Sequence, residues 1–137
     1  MYRVSVLTGD KFGAGTDANV FITMFGKTGD TGKRALVKAG ENLFERNVTS
    51  TFDLECKSLG GVSKIIIEHD NKGVGASWHC DSVTITDQKT QDVWNFNCNE
   101  WIDKKKGDRQ LFKVLWPVGR KQSTQRKSST EKKLSVA

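Results

Sequence analysis

Residues 2–25 read YRVSVLTGDKFGAGTDANVFITMF, which places a loop rich in glycine and aspartate between two apolar stretches. Tyr2 to Leu7 largely alternates polar and apolar residues, and Asn19 to Phe25 is β-branched and aromatic; both patterns are typical of strands. The intervening residues hold three glycines, two aspartates and one phenylalanine. The segment therefore predicts two strands joined by a loop at the end of a β-sheet.

The loop has the composition of a cation-binding loop with an apolar tip. Gly9, Gly13 and Gly15 permit positive φ and let carbonyl groups turn inward. Asp10 and Asp17 supply the carboxylate oxygens that Ca²⁺ takes as ligands. A glycine-rich hairpin turn with a solvated aspartate is the alternative interpretation of the same residues.

The rest of the chain predicts one all-β domain of eight antiparallel strands. At 137 residues, with one proline and thirteen glycines, the chain is long enough for one sizeable core. Short alternating runs with turn residues between them favour a β-sandwich. The further predicted strands are Arg34 to Val37, Val48 to Glu55, Ser63 to His69, Asp81 to Asp87, Asp92 to Cys98 and Arg109 to Trp116. Residues of one parity should face the core, among them Val83, Ile85, Trp94, Phe96, Cys98, Phe112, Val114 and Trp116.

The basic character of the chain lies mostly in its last twenty residues. The formal net charge is +6, but residues 118–137 hold six basic residues against one glutamate, which leaves residues 1–117 at about +1. That polar, apolar-poor segment is predicted to be a disordered basic tail or linker after a domain at residues 1–117. It is either an electrostatic arm or a solubilising extension.

Several functional classes are disfavoured by the sequence. No apolar run approaches the roughly 18 residues of a membrane span, and no leader is visible, which predicts an intracellular protein. Three cysteines without CxxC spacing indicate structural thiols rather than disulfides. His69, His79 with Cys80, and Asp81 have no recognised catalytic or zinc spacing, so we expect no enzyme. We expect no nucleic-acid partner, because the basic surplus is in the tail and not interleaved with aromatics.

Two further turn regions resemble the first loop in composition. In a sandwich, alternate loops gather at one end, so Asp17, Asn42 or Glu45, and Asp70 with Asn71 could converge there. Asp70 could instead cap its own turn, and Glu45 is left out of the set because its triplet with Phe44 and Arg46 is interpreted as structural. The predicted apolar tips are Phe12, Leu43 and Val74, with Trp78 placed either at this end or between the sheets.

Five segments in order resemble a PLAT (lipoxygenase homology, LH2) domain over about residues 2–117. They are YRVSVLTG from Tyr2, GAGTDANVFI from Gly13, NLFER from Asn42, the His69-Asp70-Asn71 turn before Trp78, and Asp92 to Trp101. The wording GAGTDANV, with a later HDN turn, is most similar to the tandem PLAT repeats found in hair-cell stereocilia. The resemblance implies a C2-like β-sandwich without catalysis of its own.

The resemblance also implies Ca²⁺-assisted docking onto membrane lipid. Carried over by position, the ligands would be the carbonyls of Gly13 and Gly15, the Asp17 carboxylate and Asn42. Phe12 takes the place of a membrane-inserting aromatic. Ala18 and Leu43 stand where some relatives carry acidic residues, which implies weaker Ca²⁺ binding.

The location implied by the resemblance is cytoplasmic and peripheral at a membrane, or in a stereocilium if the similarity to those repeats extends to location. The alternative is a protein–protein interaction module that links a partner or the cytoskeleton to a membrane, with Ca²⁺ absent or structural.

Overall fold

Two antiparallel sheets form the fold in the computed structural model, which describes residues 1–118. The strands of this part are β1 (Tyr2–Thr8), β2 (Val20–Gly26), β3 (Gly29–Asp30), β4 (Arg34–Ala35), β5 (Thr49–Leu54), β6 (Val62–His69), β7 (Trp78–Asp87), β8 (Val93–Ile102) and β9 (Phe112–Leu115). Of the tail predicted at residues 118–137, only Val118 belongs to the described residues, and the remainder lies outside them.

The topology confirms the predicted all-β sandwich. One sheet has the strand order β5-β1-β7-β8, and the other has the order β3-β2-β6-β9, with β4 also paired to β2. Nine strands replace the predicted eight because the two-residue strand β3 pairs with the end of β2. Residues 1–118 contain no helix of the length and hydropathy needed to cross a bilayer.

The core lies between the two sheets and is built from alternate residues of each strand. In the first sheet Val6 pairs with Val83, and in the second Ile22 pairs with Ile67; all four side chains are fully buried. Each such burial contributes roughly 1.5–3 kcal/mol relative to exposure. Trp94, Phe96 and Cys98 are also buried, as their parity predicted.

Strand β9 has the opposite orientation to the one predicted. Lys113 and Leu115 are buried, whereas Phe112 and Trp116 are 43% and 63% exposed. The Lys113 ammonium can lie inside because it binds Glu100 at 2.8 Å and Asp108 at 2.7 Å. Neutralisation by two carboxylates offsets the cost of burying the ammonium charge. The apolar pattern of this short strand does not reveal that these carboxylates are nearby.

Four loops meet at one end of the sandwich, here called the loop end. They are loop 1 (residues 9–19), loop 2 (residues 36–48), loop 3 (residues 70–77) and loop 4 (residues 103–111). The strand registers require this arrangement, because Thr8 lies opposite Cys80 and Trp78 lies opposite Ile102. The predicted convergence of the first three loops is therefore observed, and a fourth loop joins them.

Candidate functional site

Loop 1 is held by backbone hydrogen bonds to both of its neighbouring loops. The Thr16 amide donates to the Phe44 carbonyl of loop 2 at 3.1 Å, and the Asp17 amide donates to the Gly75 carbonyl of loop 3 at 3.2 Å. An added Cβ at Gly15 would lie 3.1 Å from that same Phe44 oxygen, so the close approach of loops 1 and 2 favours glycine there. The three loops thus form one connected structure.

Phe44 anchors loop 2 to the core. Its ring is only 3% exposed and stacks on Phe52 with 5.7 Å between centroids. Its other contact is the edge of Trp78, at 5.5 Å between centroids. The backbone of Phe44 has φ of 59°, an uncommon conformation for a bulky residue, which the packing and a hydrogen bond from its amide to Ser50 Oγ maintain.

A cleft of about 260 Å³ opens between loops 1 and 2. Its oxygen-bearing side chains are those of Thr16, Asp17, Asn19, Glu41, Asn42 and Glu45, and Lys38 also lines it. Within residues 1–118, no group of three His, Cys, Asp or Glu side chains is close enough to hold a metal ion. The carboxylates therefore share one cleft without being gathered around one point.

The structure places only some of the predicted ligands at this cleft. Asp17 and Asn42 line it, as expected. Gly13 and Gly15 belong to loop 1 but are not among the lining residues; Gly13, with φ of 74°, forms the turn at the loop tip.

Asp70 and Asn71 also lie outside the lining of the cleft, so the predicted ligands are not all gathered there. Both oxygens of Asp70 are used, since Oδ1 accepts from the amides of Asn19 and Lys72 at 3.1 Å and Oδ2 accepts from Asn19 Nδ2 at 2.7 Å. The Asn19 side chain, together with these backbone donors, lowers the pKa of Asp70. Asp70 thus fixes the start of β2 against loop 3.

Glu41 and Glu45 are cleft residues that the sequence analysis missed or set aside. Glu45 was interpreted as structural because it adjoins Phe44 and Arg46. Burial of Phe44 leaves the next side chain exposed on the cleft side, and Arg46 binds Asp10 at 3.0 Å instead of Glu45. Glu45 could have been identified as a cleft residue from the sequence, because it directly follows Phe44, an aromatic residue expected to be buried.

Two of the four predicted apolar tips are fully presented to solvent. Phe12 is 91% exposed and Val74 is 89% exposed, on loops 1 and 3. Leu43 is half-buried and packs on the core. The membrane-contact role expected for Trp78 is wrong, because the side chain is completely buried and its Nε1 donates to Thr8 Oγ1 at 3.0 Å.

The residues considered for catalysis are occupied in packing. The His69 imidazole contacts the Ile102 carbonyl through Nε2 at 2.7 Å and the Asn71 amide through Nδ1 at 3.0 Å. Cys80 is fully buried, and within the described part of the chain Cys56, Cys80 and Cys98 are free thiols, as predicted. The hydrogen bond with Cys98 and, after it, burial raise the pKa of the Cys80 thiol.

A family model of the PLAT/LH2 domain matches residues 2–113. The chain belongs to the PLAT/LH2 domain family. Human lipoxygenase homology domain-containing protein 1 is 47% identical over 116 residues, which cover 85% of this chain and 6% of that protein. Human polycystin-1-like protein 3 is 34% identical over 122 residues, 88% of this chain and 7% of that protein. This PLAT domain therefore spans a small fraction of the relatives that it matches.

Among solved structures, this PLAT domain resembles coral 8R-lipoxygenase with a TM-score of 0.75 and 29% identity. The match covers 85% of this chain and 16% of that one, and that enzyme is described as activated by calcium via a C2-like domain. The resemblance supports the predicted C2-like sandwich.

Proposed function

We propose that this PLAT domain is a non-catalytic module that docks reversibly onto membrane lipid with the assistance of Ca²⁺. The observation that carries the proposal is the position of the oxygen-lined cleft and the exposed Phe12 and Val74 tips at one end of the sandwich. Apolar tips next to hard oxygen donors suit a surface that has an apolar interior and anionic headgroups. A cytoplasmic, peripheral location is part of the proposal.

The types of oxygen donor that line the cleft are those that a calcium ion takes as ligands. Ca²⁺ takes six to eight oxygens from carboxylates, amides, carbonyls and water, in flexible geometry. Among the residues that line the cleft, Asp17 of loop 1 and Asn42 and Glu45 of loop 2 carry two carboxylates and one amide, and backbone carbonyls of loop 1 can add to these. When bound, the ion would cancel carboxylate charge and offer a coordination position to a lipid phosphate.

The apolar tips supply a modest attachment energy. Burying one Phe or Val side chain contributes roughly 1.5–3 kcal/mol before the costs of ordering and polar desolvation are subtracted. Phe12 and Val74 together therefore support reversible rather than permanent attachment. The calcium activation attributed to the C2-like domain of coral 8R-lipoxygenase supports the same proposal by analogy.

Calorimetric titration of Ca²⁺ tests the metal part of the proposal. We expect saturable binding with a dissociation constant of roughly 10⁻⁵ to 10⁻³ M, weakened at least about tenfold by Asp17→Asn or Glu45→Gln. Asp53→Asn is the matched control, because Asp53 lies on β5, away from the cleft, in an exposed pair with Arg3. No binding at millimolar Ca²⁺, or equal binding by all variants, would contradict the calcium site.

A protein-interaction module is the second candidate, and one observation favours it. Phe112 and Trp116, at 43% and 63% exposure, present aromatic surface at the edge of the second sheet, away from the cleft. Exposed aromatic residues are enriched at protein interfaces. Such a module would retain partner capture after Phe12→Ala and Asp17→Ala, whereas vesicle binding by the membrane module would be lost.

A further inference from the structure

Loop 4 carries a concentration of positive charge that the proposed function does not use. Lys104, Lys105, Lys106 and Arg109 are all exposed within this nine-residue loop. Residues 1–117 carry a net charge of only about +1, so a local group of four cations is a marked surplus.

The acidic residues near loop 4 cancel about half of this surplus, because Lys113 can neutralise only one of its two carboxylate partners. Asp108 and Glu100 are both engaged by Lys113, whose side chain is 10% exposed. The hydrogen bond from Lys113 lowers the pKa of Asp108, so this carboxylate stays ionised and paired. With Asp103 as the other acidic residue of the loop, two negative charges remain against the four exposed cations, a local net charge of about +2.

Loop 4 lies beside the base of loop 1. Lys106 Nζ sits 4.1 Å from the centroid of the Trp101 ring, and that ring contacts His79 at 5.2 Å between centroids. His79 in turn packs under Gly9, where an added Cβ would overlap its ring. The charge of Lys11, next to the exposed Phe12, acts on His79 as well.

We propose that loop 4 and Lys11 form a contact site for anionic phospholipid headgroups, which gives the domain a calcium-independent preference for negatively charged membranes. The proposal rests on the proposed membrane docking and adds its lipid selectivity. Each Lys or Arg near an anionic membrane surface contributes about 1 kcal/mol, or about fivefold in affinity. Lys11 directly precedes the exposed Phe12 in sequence, and a cation beside an apolar tip suits a lipid surface rather than a free anion.

The contacts of Trp101 argue for lipid over nucleic acid. Single-stranded nucleic acid is bound by aromatic rings on which bases stack. Here Lys106 covers the Trp101 ring and His79 contacts it, so this aromatic residue is not free as a stacking platform.

Vesicle binding of the full chain in EGTA tests the proposal. The vesicles contain phosphatidylcholine alone or a three-to-one mixture with phosphatidylserine. We expect binding to the mixed vesicles, weakened about a hundredfold in the variant K104Q/K105Q/R109Q. The control variant K27Q/K57Q/K89Q removes the same charge from exposed residues at the opposite end of the sandwich and should bind within about threefold of wild type.

Four outcomes would overturn the proposal. Equal binding by the two triple variants would show that the position of the charge is irrelevant. Equal binding of the wild type to both vesicle types would remove lipid selectivity, while Ca²⁺-dependent docking could still be observed with Ca²⁺ in place of EGTA. If the loop 4 variant keeps vesicle binding but loses binding to polyglutamate, the partner of loop 4 is an acidic protein. Absence of vesicle binding in both EGTA and Ca²⁺ would overturn this proposal together with the proposed function.

Discussion

His79 is a buried imidazole under the loop that carries Phe12. It is 3% exposed, and its Nδ1 has no hydrogen-bond partner in the described structure. Its backbone holds the base of loop 1, since its carbonyl accepts from the Gly9 amide at 2.8 Å and its amide donates to the Ala14 carbonyl at 3.0 Å. An unpartnered nitrogen at this position makes the protonation of His79 matter for stability.

Stability should fall as the pH drops below about 6.5, partly through His79. Burial, followed by the charge of Lys11, lowers the pKa of His79 in the folded state. Below the unfolded pKa of about 6.5, the unfolded chain binds a proton that the folded chain does not, so acid favours unfolding. We expect the loss of unfolding free energy between pH 7.5 and 5.5, measured in urea, to be smaller in His79→Gln. An unchanged difference would contradict this assignment.

At the scale of single elements, β9 shows where sequence patterns stop being sufficient. The alternation of Phe112, Val114 and Trp116 predicted an inward face, yet the inward residues are Lys113 and Leu115. The register with β6, in which Leu115 pairs with Ile65, determines the orientation. The sequence does not show that Glu100 and Asp108 are positioned to neutralise a buried lysine.

The orientation of β9 can be tested with two truncations next to each other in sequence. Leu115→Ala should reduce the free energy of unfolding by about 2–5 kcal/mol, because Leu115 is 9% exposed and packs in the core. Trp116→Ala, at 63% exposure, should cost less than about 1 kcal/mol despite removing a larger side chain. Urea denaturation measures both, and the reverse order would show that the strand faces the other way.

For the molecule as a whole, the sandwich and the gathering of the loops were predictable because alternation and turn residues specify them locally. Side-chain contacts between loops were not predictable in the same way. Asp70, for which a ligand role and a turn-capping role were both open, binds Asn19 and the Lys72 amide, and Glu45, interpreted as structural, lines the cleft. Such side-chain pairings depend on which loops pack together. The packing of loops is determined by buried residues such as Phe44, which stacks on Phe52 in the core.

Which part of the domain meets a membrane is a question for the whole molecule. Phe12 and Val74 are exposed at the loop end, whereas Trp116 is exposed beside the edge strand of the second sheet. The double variant Phe12→Ser with Val74→Ser should weaken Ca²⁺-dependent vesicle sedimentation by roughly ten- to a hundredfold, because it removes the two apolar side chains that would be buried in the bilayer. Trp116→Ser, which removes an aromatic side chain that is 63% exposed elsewhere on the domain, should sediment as wild type does. If Trp116→Ser weakens sedimentation and the double variant does not, the membrane contact is at the sheet edge and the loop end binds something else.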